Sequence, residues 1–389
     1  MSRLQSKFTL WPVGQGLFYS GAISYQGNNF NFIYDCGGDS QTISQEVNSY
    51  LKKFDNEIDM LVISHFDSDH INGLPTLFNG VKRINRIFIP YYGNLSSYLL
   101  LVAYVYGNGG TLSEKVNEII LVNTTESEGQ EIMLNEVDEL REENLIDKYS
   151  IRNVRTRVKG ISKAKYNDIW EFKFYNAPLK NGASLNVIKN EIDKLMARKR
   201  ASNLEELLVN HLSEVKQELK AIYNRFVSSH LRNSKQNQTS LCLYHAPLSG
   251  CNYYRCSILM RGLGDHYMNR WTRLLETTGT LLTGDISLKV KKVDRKYRNF
   301  CNYFHDEKDK TLLFLTPHHG AFNNWNPSIL SDFPKVIFFL NSAGKTNKYG
   351  HPSNRVLKQI LGANRLFLWA NEKNGIEYKI LSNSWFLLK

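Results

Sequence analysis

The sequence holds few of the features that would decide its class cheaply. It has 389 residues but only five cysteines, an odd number, and none of Cys36, Cys242, Cys251, Cys256 and Cys301 forms a Cys-x-x-Cys pair. That excludes a disulfide framework and a zinc-finger pattern, and it reads as buried free thiols in a reducing compartment. No stretch approaches the ~20 consecutive apolar residues that cross a bilayer, so no membrane partner is expected. The opening, "MSRLQSKFTLWPVGQG", lacks the apolar core and small-residue cleavage site of a secretion signal, and a cytoplasmic protein is expected. There is no internal repeat and no long Pro/Gly/Ser linker.

What the chain does have is positive charge, unevenly spread. The formal net charge is +12. Residues 111–150 carry 3 basic and 11 acidic side chains, whereas 151–235 carry 18 basic and 8 acidic. A basic balance favours polyanionic partners, DNA or another nucleic acid first among them. Arg198, Lys199 and Arg200 in "ARKR", and the lysines of "KGISKAK" (159–165), read equally as phosphate-gripping patches or as solvated faces.

Apolar periodicity divides the chain into 1–106, 107–236 and 237–389. The first part alternates strands and helices: "KFTLWPV", "GLFYSGAISY", "NNFNFIYDCGG", then the helical "TISQEVNSYLKKF", then the buried strand "EIDMLVIS". The middle part reads as a mainly helical, charged insertion, with "SEKVNEII", "EIMLNEVDELREENLIDKYS" and the long 185–233 stretch at helical period and two short strands between them. It offers a surface for a partner protein. Strand character returns in the last part at "TSLCLYHA", "SILMRGL", "GTLLTGD", "KTLLFLTPHHGAF", "KVIFFLNSAG", "RLFLWAN" and "IEYKILSNSWFLL".

Chemistry-bearing residues gather where these strands end. "SHFDSDHINGL" places His65, Asp67, Asp69 and His70 within six positions, directly after an apolar strand. Imidazoles and carboxylates this close form a ligand set for divalent ions, and a loop leaving a rigid strand lets them converge. Three further segments have the same character: Asp285 in "LLTGD", His318 and His319 in "LTPHHG", and His351 in "YGHPSNRVL", where Ser353 and Asn354 suit the start of a helix.

These motifs resemble the metallo-β-lactamase fold superfamily. The strand-end Asp of that family matches Asp35, its His-x-His-x-Asp-His signature matches "HFDSDH" with Asp67 in place of the second His, and its later Asp and His match Asp285 and "PHHG". The order "VGQG", "HxDxDH", "TGD", "PHHG", "GHPS" is similar, more narrowly, to the hydrolase domain of ComEC-type DNA-uptake proteins, over roughly 8–100 and 238–389. The resemblance implies an α/β protein, a four-layered αββα sandwich, with a dinuclear site for Zn²⁺ or Mn²⁺, or else Mg²⁺. It implies His65 and Asp67 on one ion, Asp69, His70 and His319 on the other, Asp285 bridging and Asp35 orienting the cluster. His318 is then left to support the ligands from behind or to meet a substrate oxygen, and Asp69 doubles as proton acceptor. His351, at the mouth of its helix, reads equally as a substrate-phosphate contact or as part of a plain structural turn. The family's remaining ligand to the first ion has two candidates, His245 and His266. The function implied is a metal-dependent phosphodiesterase, a nuclease acting on DNA. The alternatives are a small-molecule metallohydrolase for phosphoesters, lactones or thioesters, and an effector subunit switched on by a partner protein in a defence or toxin system.

Overall fold

The computed structural model describes residues 4–54, 56–92, 95–123, 130–134, 147–176, 186–227, 240–248, 254–261, 271–289 and 296–382. The chain opens with β1 (Gln5–Leu10), β2 (Phe18–Tyr25), β3 (Asn28–Cys36), α1 (Ile43–Leu51), β4 (Glu57–Val62), α2 (Ser68–Ile71), α3 (Leu74–Gly80), β5 (Arg83–Pro90) and α4 (Ser96–Gly107). Next come β6 (Val116–Val122), β7 (Gln130–Met133), β8 (Arg155–Lys159), β9 (Ile161–Tyr166), β10 (Trp170–Asn176), α5 (Asn186–Lys199), α6 (Leu204–Asn210) and α7 (Leu212–Phe226). The remainder holds β11 (Leu241–Pro247), β12 (Tyr254–Arg261), β13 (Trp271–Leu275), β14 (Gly279–Leu282), α8 (Lys296–Tyr303), β15 (Thr311–Leu315), α9 (Ile329–Asp332), β16 (Phe338–Ser342), α10 (Asn354–Gly362), β17 (Leu366–Ala370) and β18 (Gly375–Ser382).

The strands form two mixed sheets. One runs β13-β12-β18-β1-β2-β3-β4-β5-β6-β8, the other β17-β16-β15-β14-β11-β10-β9-β7. In the first, β3, β4, β5, β6 and β8 are parallel neighbours; in the second, β14, β15, β16 and β17 are. Parallel strands covered on both faces need apolar residues on both, and "MLVI" supplies them. Met60 and Val62 lie in the core between the sheets, while Leu61 and Ile63 lie under the helices. A third apolar cluster joins Phe314 and Phe339 to Phe300, Ile329 and Ile360 of the opposite helices. Three cores between four layers make this an αββα sandwich, as expected.

α4 is apolar all round, and every one of its residues is buried. It packs between the first sheet and α5 and α7, so it has no solvent face to make polar. Among the described residues no helix is long and apolar enough to cross a membrane. Cys36, Cys242, Cys256 and Cys301 are buried free thiols; Cys251 lies outside the described residues.

The 107–236 stretch differs from the sequence reading in its make-up. "SEKVNEII" and the start of "EIMLNEVDEL" are not helical: Val116–Val122 and Gln130–Met133 are strands, one in each sheet. For Val116–Val122 the physical reason is burial on both sides, which asks for the apolar run Ile119–Val122 and overrides the helix-forming charges before it; Gln130–Met133 is an edge strand that buries only Ile132. The stretch therefore gives both sheets strands, β6 to β10, before its three helices.

Candidate metal centre

The carboxyl ends of β3 and β4 in one sheet, and of β14, β15 and β16 in the other, deliver their loops to one place. That edge is where open parallel sheets commonly seat ligands. Asp35, at the end of β3, is fully buried with φ at 57°. Its Oδ1 accepts from the Ser64 amide at 2.6 Å, and its Oδ2 accepts from Ser64 Oγ at 2.5 Å and from His70 Nδ1 at 2.7 Å. With its oxygens so engaged, Asp35 orients the cluster.

Those bonds fix the imidazoles. Ser64 Oγ gives its proton to Asp35, so at 2.9 Å it accepts from His65 Nδ1. His70 Nδ1 donates to Asp35, and His319 Nδ1 donates to the Ser342 carbonyl at 2.7 Å. Each ring then carries a proton on Nδ1 and turns its Nε2 inward. His65 Nε2, His70 Nε2, His319 Nε2 and Asp285 Oδ1 are all buried without a hydrogen-bond partner among the described residues. Four orphaned polar atoms in one spot are costly unless something else satisfies them.

The orphans sort into two sets around Asp285. Its Oδ1 lies 3.2 Å from His70 Nε2 and 3.6 Å from His319 Nε2, and His319 Nε2 is 3.3 Å from Asp69 Oδ2. Its Oδ2 lies 3.7 Å from His65 Nε2 and 3.6 Å from His318 Nε2, and His65 Nε2 is 3.6 Å from Asp67 Oδ2. Asp69, His70 and His319 offer ligand atoms all within 4.8 Å of one another, and so do His65, Asp67 and Asp285. The donor chemistry and the orphaned atoms fit divalent metal binding.

The electrostatics agree. Burial alone would raise the Asp285 carboxyl, but the imidazoles of His318, His70 and His319 outweigh it and hold it well below the usual range. Burial opposes a proton on His70 too, yet Asp285 and Asp35 draw its pKa well above 6.5. The carboxylates together demand a positive charge at this spot. Asp69, with about a third of its side chain exposed, is also held low despite burial, by the His319 imidazole 3.3 Å away and the nearby His70.

Backbone geometry brings the loops together. A Cβ on Gly37 would sit 2.3 Å from the Asp69 carbonyl oxygen, and one on Gly16 2.5 Å from it, so both glycines admit the metal loop to close approach. The Leu17 amide donates to that same carbonyl at 3.0 Å. His318 and His319 both adopt left-handed backbone, φ 49° and 55°, which costs roughly 1–3 kcal/mol per residue and is typical of functional positions. α7 reaches the loop from the other side: Tyr223 donates its hydroxyl to the Phe66 carbonyl at 2.7 Å.

His65, Asp67, Asp69, His70, Asp285 and His319 converge here, with Asp35 behind them. His318 stands closer than the sequence reading placed it, on the same Asp285 oxygen that His65 faces. His351 lines the cleft above, its ring 5.5 Å from that of His318, and burial lowers its pKa to about 4. Ser353 caps α10, its Oγ accepting from the Arg355 amide at 3.3 Å. His245 is not at the site. It is buried between the sheets among Phe8, Phe32 and Trp170, bonded to Tyr19 Oη at 2.8 Å, and burial lowers its pKa to about 3. His266 lies outside the described residues. Arg198 and Lys199 pair with Glu218 and Glu214 on α7, and Arg200 is exposed just beyond α5. Ser64, Ser240, whose Oγ accepts from the Asp285 amide at 3.0 Å, and the Ser342 carbonyl also orient the ligands, and no spacing in the sequence marks them.

Residues 18–82 match the metallo-beta-lactamase superfamily, a span that includes Asp35 and the whole "HFDSDH" loop. No curated protein sequence matches the chain. The superfamily domain and the His/Asp groups together point to a metal-dependent hydrolase.

Proposed function

We propose that the protein is a dinuclear metal-dependent phosphodiesterase of the ComEC-type kind, and that it cuts DNA. The observation that carries this reading is Asp285, whose two oxygens face two separate ligand sets. His65 and Asp67 with Asp285 Oδ2 would hold one ion, and Asp69, His70 and His319 with Asp285 Oδ1 the other. The mixture of imidazole and carboxylate suits Zn²⁺ or Mn²⁺, with Mg²⁺ less well served. Bound there, such ions supply Lewis acidity to phosphoryl oxygens and acidify water toward neutral pH.

The chain's own groups do the rest. Asp69 stays ionised at neutral pH and accepts a proton or orients a water from the cleft floor. Burial keeps His318 and His351 uncharged at neutral pH, so each offers an imidazole N–H to a substrate oxygen without competing for the ions. The cleft they line is about 990 Å³ and open to solvent.

One observation favours a smaller substrate. Arg198 and Lys199 are spent on Glu218 and Glu214, and among the described residues the cleft lining carries Asp39, Asp67, Asp69 and Asp285 against a single cation, Lys348. A small-molecule phosphoester, lactone or thioester hydrolase is the second reading. Incubation of plasmid and single-stranded DNA with Mn²⁺, Mg²⁺ or Zn²⁺ separates the two. Metal-dependent cutting that falls by more than roughly 100-fold in Asp69→Ala is expected. Turnover of small esters with DNA intact moves the assignment to the second reading, and undiminished DNA cutting by Asp69→Ala removes the first.

A further inference from the structure

Of the four large hydrophobic side chains exposed among the described residues, only Tyr349 lines the metal cleft. It is 58% exposed, and among the described residues no other aromatic ring is as exposed. The loop that carries it is built to hold it there. Asn347 Oδ1 accepts from the amides of Tyr349 at 3.1 Å and His351 at 3.0 Å, and Asn347 Nδ2 donates to the Gly344 carbonyl at 2.6 Å and to that of His351. Gly350, at φ 68°, makes the turn between the two rings. The Tyr349 ring lies nearly parallel to the His351 imidazole, 17° between planes and 6.0 Å between centroids. His351 in turn meets His318, and His318 faces Asp285. A ladder of rings thus leads from the ligand cluster to the surface, with the Lys348 ammonium 5.3 Å from the centre of its outermost ring.

An exposed aromatic on a braced loop beside a phosphate-chemistry site, with a cation next to it, matches what single-stranded nucleic acid offers: a flat base next to an anionic linkage. We propose that Tyr349 is a stacking platform for a nucleobase adjoining the cleavable phosphate, and that Lys348 swings to the flanking phosphate when the base arrives. This rests on the phosphodiesterase reading of the same cleft. A base in a duplex is already stacked on its neighbours, so the platform selects single strands and frayed ends.

The test is binding, so it does not depend on turnover. Fluorescence anisotropy compares short single-stranded oligonucleotides, in DNA and in RNA form, with counterparts whose central residues are abasic. Wild-type protein is expected to bind the base-containing strand on the order of 10-fold more tightly. Tyr349→Ala erases that preference, and Tyr349→Phe, which keeps the ring, retains it. The DNA and RNA arms show which strand the platform serves. Equal wild-type affinity for normal and abasic strands overturns the proposal, as does a preference that survives in Tyr349→Ala. Hydrolysis of methyl p-nitrophenyl phosphate by the wild-type protein is measured beside it. Its absence with the binding preference intact sinks the phosphodiesterase reading alone, and its presence without the preference sinks the platform alone.

Discussion

Ser64 shows how a residue with no metal-binding capacity of its own shapes the centre. Its amide and hydroxyl both donate to Asp35, and the hydroxyl oxygen takes the proton side of His65. Without it the His65 ring is free to carry its proton on the inward nitrogen, where no ion can then bind. Ser64→Ala is therefore expected to weaken Zn²⁺ or Mn²⁺ affinity by roughly 10- to 100-fold, read by competition with a chromogenic chelator. Unchanged affinity would show that His65 is oriented by other contacts. The ligands themselves were legible, because six positions holding two histidines and two aspartates are improbable in an ordinary turn. His318 was half legible. Its type was plain, but which of two adjacent histidines faces which oxygen depends on a left-handed backbone that sequence does not announce.

Among the elements, α7 does something its sequence hides. Its apolar period predicts a helix, and the helix is there, with Val215, Leu219, Ile222 and Phe226 buried. The same face carries Tyr223, whose ring packs on Tyr104 of α4 at 4.8 Å and whose hydroxyl holds the backbone between two metal-ligand candidates. Tyr223→Phe keeps the packing and leaves the Phe66 carbonyl without that donor. A stability loss of about 1 kcal/mol is expected, together with weaker metal binding. Denaturant unfolding and chelator competition read the two effects separately, and stability loss with unaltered metal affinity would make the hydroxyl merely structural. Elements with one dominant period were readable, as α5 and α7 show. β6 was not, because charges from a neighbouring solvent-facing segment run into a strand whose burial is imposed by a sheet formed elsewhere in the chain, and β7 is a four-residue edge strand with a single buried residue and so no period to read.

At the scale of the molecule, the centre sits where two sheets meet. Asp35, His65, Asp67, Asp69 and His70 come from one, and Asp285, His318 and His319 from the other. An ion held by both sets joins the two halves of the sandwich and binds only the folded state, so it must also stabilise the fold. The spatial convergence was legible as a shared position at strand ends. The strands that 107–236 adds to both sheets were not, since that stretch advertises charge before it advertises burial. The most direct test is a calorimetric titration of Zn²⁺ or Mn²⁺ into chelator-stripped protein, with melting followed in parallel. Two ions per chain are predicted, with stability raised by about 2.7 kcal/mol for each site at one hundred times its dissociation constant, and both effects lost in Asp285→Ala. A protein that takes up no divalent ion, and melts at the same temperature with and without it, would contradict the account.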